Sequence, residues 1–206
     1  MKILTFPLGE MQTNCYFLLD EATNKCAVVD PGGECERILT ALAQRGLTVT
    51  DILLTHGHFD HMMALGELRR AVHAPLSIHR CDAAALGDPT ISYMKQFGGI
   101  DRAEEPAERL LEDGDTFSVG ESVVTVLHTP GHTPGSVCYL CGDKLISGDT
   151  LFRGGIGRYD LFGGDYATLM QSLKRLAALE GDYRVYPGHG SSTTLDFERK
   201  NNLYLQ

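Results

Sequence analysis

In LTHGHFDHMM, residues 54–63, the side chains of His56, His58, Asp60 and His61 fall within six consecutive positions, directly after an apolar run. Imidazole and carboxylate are the usual ligands of zinc and related divalent ions. In an extended segment His56 and His58 project to the same side and can reach one ion, whereas Asp60 and His61 point elsewhere. A tetrahedral site takes four ligands, and drawing all of them from one six-residue loop would strain the backbone and leave no open position. Two ions remove the crowding. Further candidates stand beside glycine at the ends of probable strands: His132 in TPGHTPGS, Asp149 in ISGDTLF and His189 in YPGHGSS. Glycine lets the chain turn sharply and approach a ligand closely. With Asp149 as a bridge, each ion gains four protein contacts and a water can be shared.

The chemistry of such a centre is hydrolytic. A divalent ion lowers the pKa of bound water from ~15.7 to about 7, so a water shared by two ions would be hydroxide at neutral pH, ready to attack. For an acyl compound with a good leaving group, one ion would stabilise the oxyanion while that group departs without needing a strong general acid. No GxSxG elbow and no evident cysteine–histidine pair offers a covalent nucleophile. Asp60 is read as a ligand that, without a second ion, would orient the water or accept its proton. Asp30 in VVDPGG is read first as a turn former and second as an orienter of a ligand histidine.

The elements that must position these residues alternate between strand and helix periods. Strands are expected at Lys2–Phe6, Cys15–Leu19, Cys26–Val29 and Asp51–Leu54, with a helix over Glu34–Arg45 ended by Gly46. A helix over Met62–Val72 and a strand over Ala74–His79 follow. Residues 88–108 show no period and suggest a flap or irregular helices. Strands are then expected at Phe117–Val119, Ser122–His128, Ser136–Leu140, Lys144–Ile146 and Tyr183–Tyr186, with a helix over Tyr166–Leu179 capped by Asp165. The loops after LLTHGHFDH and VLHTPGHTPGS echo each other faintly, as if both opened on one edge. Cys138 and Cys141 form a CxxC, but on a strand their side chains would face opposite sides, so they are read as core residues. His73, His79 and His128 are given no role.

With 206 residues, 43% hydrophobic and 22% charged, the chain suits one α/β domain over 1–206. A net charge of -9 without a basic stripe argues against nucleic acid. No apolar stretch suits a signal peptide or membrane span, and six irregularly spaced cysteines fit a reducing compartment, so a cytoplasmic protein is expected. Nothing in the pattern bears on oligomeric state.

The HxHxDH run at His56–His61, followed by His132, Asp149 and His189, resembles the metallo-β-lactamase superfamily over residues 53–190. That resemblance implies an αββα sandwich: two mixed sheets with helices on the outer faces. It implies one metal on His56, His58 and His132, another on Asp60, His61 and His189, and Asp149 between them. The ions would be zinc, with iron or manganese as alternatives. GDTLF, VVDPGG, TPGHTPGS and YPGHG are similar to glyoxalase II-like hydrolases of the short branch, which implies a small thioester substrate such as S-lactoylglutathione. Antibiotic hydrolysis ranks low on the same motifs. Arg158 in GIGRYD aligns with a basic residue near the thiol carrier, and Arg153 is a weaker candidate, but YDLFGGD departs from the pattern of the two-domain glutathione enzymes. The alternative is a persulfide dioxygenase with one iron on His56, His132 and Asp149; Gly190, where that branch tends to have Asp, favours hydrolysis.

Overall fold

The computed structural model describes all 206 residues. Its first half builds one mixed sheet from β1 (Lys2–Leu8), β2 (Thr13–Asp20), β3 (Lys25–Val29), β4 (Thr48–Leu53), β5 (Leu76–His79) and β6 (Arg109–Leu111), in that order. The first three strands run antiparallel and the last three continue parallel to β3. Helices α1 (Cys35–Gln44) and α2 (Leu65–Val72) make the crossovers, and the short α3 (Ala83–Gly87) follows β5. The second sheet contains β7 (Thr116–Val119), β8 (Ser122–His128), β9 (Val137–Cys141) and β10 (Lys144–Gly148). A two-stranded hairpin, β11 (Leu151–Phe152) and β12 (Gly155–Ile156), precedes α4 (Tyr166–Ala177). Then β13 (Arg184–Pro187) and β14 (Thr193–Thr194) complete the second sheet in the order β14-β13-β10-β9-β8-β7, and α5 (Leu195–Asn201) closes the chain.

The two-residue period of the strands sorts side chains into three apolar layers. On β2, Tyr16 and Leu18 point between the sheets, where they meet Val126, Tyr139 and Ile146 of the second sheet. The alternate residues Cys15 and Phe17 pack outward against Ile38 and Leu42 of α1 and Leu65 and Leu68 of α2. On the opposite outer face, Leu127, Leu145 and Val185 meet Leu169, Leu173 and Leu176 of α4 and Leu195 of α5. The result is the expected αββα sandwich.

The CxxC cysteines diverge as their strand requires, Cys138 toward α4 and Cys141 into the inter-sheet layer. All six cysteines are free thiols. Asp165 caps α4, its carboxylate accepting from the Thr168 amide at 2.7 Å. Gly46 follows α1 at φ +61°, the left-handed stop that its position suggested.

Several boundaries differ from expectation. The α2 helix begins at Leu65 rather than Met62, because Phe59–His61 coil into a 3₁₀ turn that aims ligand side chains. The strand expected from Ala74 begins at Leu76, after Pro75, which has no N–H to pair. Residues 88–98 are successive turns, with Tyr93 at φ +60°. The short elements β6, α3, β11, β12, β14 and α5 had no periodic signal in the sequence. No helix is long and apolar enough to cross a membrane.

Candidate metal centre

Every candidate ligand stands just beyond a strand, at one end of the sandwich. Thr55–His61 follow β4, His132 follows β8, Asp149 follows β10 and His189 follows β13. The first sheet thus supplies the HGHFDH residues and the second supplies the other three. Gly188 permits the convergence: a Cβ there would sit 2.0 Å from Asp149 Oδ1 and 2.8 Å from His61 Cε1.

The donor atoms gather into two adjoining clusters. His132 Nε2 lies 3.2 Å from His56 Nε2 and 2.9 Å from His58 Nδ1, and the latter two are 3.1 Å apart. Ligand nitrogens ~2.0–2.1 Å from a common ion stand ~3.3 Å apart in a tetrahedron, so this triangle has the size of one face of a coordination shell. In the second cluster His189 Nε2 is 3.2 Å from Asp60 Oδ2 and His61 Nε2 is 3.5 Å from the same oxygen. Asp149 lies between the clusters, with Oδ1 3.4 Å from His61 Nε2 and Oδ2 3.7 Å from His132 Nε2. His56, His61 and Asp149 form a further three-donor group that links them. His61 Nε2 and Asp149 Oδ1 are buried with no hydrogen-bond partner. Two facing, unpartnered donor atoms in a buried site are a costly arrangement unless a cation lies between them, so the residues fit the metal that their types suggest.

The far nitrogens of the rings are held by acceptors. Asp30 Oδ2 accepts from His61 Nδ1 at 2.9 Å and from Thr55 Oγ1 at 2.7 Å, and that hydroxyl in turn lies 3.1 Å from His56 Nδ1. The Arg158 carbonyl oxygen receives His132 Nδ1 at 2.7 Å, and the Met11 carbonyl receives His189 Nδ1 at 3.2 Å. A proton fixed on Nδ1 of His56, His61, His132 and His189 leaves the Nε2 lone pair of each directed into the centre, whereas His58 presents Nδ1. The reading of Asp30 as chiefly a turn former is therefore corrected. It is fully buried, and its carboxylate orients two ring ligands, one directly and one through Thr55. Thr13 Oγ1 donates to Asp60 Oδ2 at 2.9 Å.

Electrostatics separates the clusters. Burial, reinforced by His132 and His61, pushes His58 down to about 3, and burial with the other histidines keeps His56 well below the usual imidazole range. Both rings are neutral ligands at pH 7. At His61 burial also lowers the pKa, but Asp60, Asp30 and Asp149 outweigh it and hold the ring above its ordinary value. At His189 burial again lowers the pKa, and Asp60 and Asp149 outweigh it. Burial raises Asp60 and Asp149, yet the facing histidines bring both net below the carboxylate range. The second cluster is thus a focus of negative potential, suited to a cation.

Asp82, at the N-terminus of α3, had no motif to mark it. Its Oδ2 accepts from the Gly57 amide at 2.9 Å and from Thr133 Oγ1 at 2.7 Å, and its Oδ1 from the Gly135 amide at 2.6 Å. It ties the His56/His58 loop to the His132 loop. Its partners lie 25, 51 and 53 residues away, beyond any local pattern.

Above the centre opens a cleft of about 930 Å³, floored by His58, Asp60, His132, Asp149 and His189. Phe59, Tyr93, Phe97, Phe152 and Leu161 wall it. Tyr93 stands edge-on to His58, and its hydroxyl receives the Phe162 amide at 2.7 Å, joining the 88–98 turns to the loop after Arg158. Arg158 is among the residues lining the cleft, but its guanidinium is already forked onto Asp160 at 2.8 and 2.9 Å. Arg153 instead lies over the Phe197 ring at 5.6 Å. His79 and His128 stack on each other at 3.9 Å, and His73 caps α2.

This fold and His/Asp centre define a metallo-hydrolase class, and the Metallo-beta-lactamase superfamily model matches residues 8–189: the chain belongs to that family. It is 39% identical to the "Probable metallo-hydrolase YqgX" of Bacillus subtilis, with 100% of this chain and 98% of the relative covered. It is 34% identical to "Hydroxyacylglutathione hydrolase GloC" of Haemophilus influenzae, again over 100% and 98%. Among solved structures, BLEG-1, described as a B3 metallo-beta-lactamase, superposes with a TM-score of 0.94 at 36% identity, each chain fully covered. TTHA1623 in a di-iron-bound form gives 0.87 at 38%, also with full coverage. The site is a His/Asp metal site typical of di-metal centres in this family.

Proposed function

We propose that the chain is a two-metal hydrolase of small acyl thioesters, with His56, His58 and His132 on one ion, Asp60, His61 and His189 on the other, and Asp149 shared. The observation that carries this reading is in the second cluster: the buried, unpartnered His61 Nε2, grouped with Asp60 and His189, has a use as a ligand when two ions are held and none when a single ion sits on His56, His132 and Asp149. Zinc is the metal we favour, and the di-iron form of TTHA1623 makes iron the first alternative. When bound, the ions would supply a water acidic enough to ionise near neutral pH and a Lewis acid for the acyl oxygen.

The chain's own residues do the rest. Asp30, Thr55 and the Met11 and Arg158 carbonyls hold the imidazoles in the ligating tautomer. Asp60, anchored by Thr13, lies at the cleft floor in reach of a proton released during attack. The aromatic walls exclude bulk water from the acyl group, and Arg158, lining the same cleft, meets a single carboxylate of the substrate only by releasing Asp160. The likeness to GloC supports a thioester over other acyl compounds.

The test is metal analysis paired with turnover. Two metals per chain, thiol release from S-lactoylglutathione and loss of both with H61A is the expected result. A single iron with oxygen uptake on glutathione persulfide would replace hydrolysis with the dioxygenase reading. The fit to BLEG-1 favours one second reading, β-lactam opening, and a chromogenic cephalosporin turned over faster than any thioester would establish it.

A further inference from the structure

Resting on the thioester reading, the inference concerns the part of the substrate that carries sulfur. Arg158 is the one lysine or arginine among the residues lining the cleft, and its fork is taken by Asp160. Two carboxylates beyond the metal ligands face the same space, Glu10 and Glu34. Glu34 is held at the lip by the Gly9 amide at 3.0 Å and by Arg37 at 3.2 Å, whereas Glu10 enters no ion pair. Glutathione, with two carboxylates and one ammonium, would have to displace Asp160 to gain one counter-ion for its carboxylates and would find no second. A highly anionic nucleotide thiol would be opposed by Glu10, Glu34 and the net charge of -9.

The walls offer apolar contact instead. Phe59, Phe97 and Tyr93 form a continuous aromatic step, with ring centroids 6.2 and 5.6 Å apart. Phe97 and Met11, at the mouth, are 63% and 57% exposed, which is apolar surface left for a substrate to cover. The volume of about 930 Å³ suits an extended thiol rather than the acyl group alone.

We infer that the cleft selects thioesters of uncharged, amide-containing thiols of the pantetheine type over those of anionic thiols. The apolar arm lies along Phe59, Tyr93 and Phe97, and the acyl carbon reaches the metal floor. The pairing of Arg158 with Asp160 is the charge contact that discriminates against a substrate carboxylate.

The experiment compares S-lactoylpantetheine with S-lactoylglutathione on the zinc-loaded protein, so that acyl group and metal are constant. At low salt kcat/KM is expected to be at least about tenfold higher for the pantetheine ester. D160N, which frees Arg158, shifts the ratio about two- to fivefold toward glutathione, the scale of an exposed ion pair. F97A raises KM for the pantetheine ester about tenfold with kcat little changed. Calorimetry with the matching S-methyl thioethers, which cannot turn over, is expected to give the same order of Kd. Preference for the glutathione ester, or a ratio unmoved by D160N, overturns the inference and leaves thioester hydrolysis standing. Release from neither ester overturns both.

Discussion

Asp30 sets two ligands with one carboxylate, and it does so from a left-handed backbone conformation, φ +50°, that a non-glycine residue adopts at a cost. Oδ2 serves His61 Nδ1 and Thr55 Oγ1, while Oδ1 accepts the Thr55 amide at 2.8 Å. An asparagine keeps the shape but brings an NH₂ against one set of donors and removes the charge that draws the His61 proton to Nδ1. D30N is therefore expected to weaken metal affinity about 10- to 100-fold, mainly at the cluster holding His61, with the circular dichroism spectrum retained. Competition against a chromogenic chelator measures it, and wild-type affinity would sink the assignment. VVDPGG advertised a turn because Asp, Pro and Gly are local signals. The orienting role lay in His61 and Thr55, 31 and 25 residues away, which no local signal reports.

At the scale of elements, legibility followed the reach of each interaction. The α4 helix was readable because Asp165 caps it and Leu169, Leu173 and Leu176 repeat on one face. The HGHFDH loop was readable because its ligands are neighbours in sequence. Residues 88–98 were not, since their turns are organised by tertiary partners: Tyr93 on His58 and Phe162, and Phe97 on Phe59. Neither was α5, whose seven residues are too few to display a period and whose Thr194 cap reads like any loop threonine. The segment from Arg80 to α3 exists to bring Asp82 between two ligand loops. D82A would leave the buried Gly57 and Gly135 amides without acceptors, a loss of about 1–3 kcal/mol for each unsatisfied group. Chemical denaturation is expected to show a reduced midpoint, and the His56–His58–His132 cluster should lose metal before the other. A midpoint and affinity unchanged from wild type would mean that the two loops hold their positions without the clamp.

Across the whole molecule, two sheets that share an apolar layer are also pinned at both ends. At one end the pin is the metal centre, to which each sheet contributes ligands. At the other it is Asp20, the last residue of β2, whose Oδ2 accepts from the Glu121 amide at 2.8 Å and the Ser122 amide at 3.1 Å in the hairpin between β7 and β8. Its Oδ1 accepts from the Ala22 and Thr23 amides at 3.0 and 3.1 Å. Burial raises the pKa of Asp20, but these amides and the Thr23 and Ser122 hydroxyls outweigh it and bring the carboxyl down to about 2. Because the folded value lies below the unfolded one, of about 3.9, the carboxylate contributes stability that is complete above about pH 4 and disappears as pH falls through about 2. The difference in urea midpoint between wild type and D20N is accordingly expected to be constant from pH 5 to 7 and to shrink steadily below pH 4. Both proteins should be compared with the metal removed by chelation, since the ligand histidines and carboxylates release metal over part of the same acid range and would otherwise add their own slope. A wild-type advantage that persists undiminished at pH 2 would show that the end of the sandwich remote from the metal is held by packing and not by this charge.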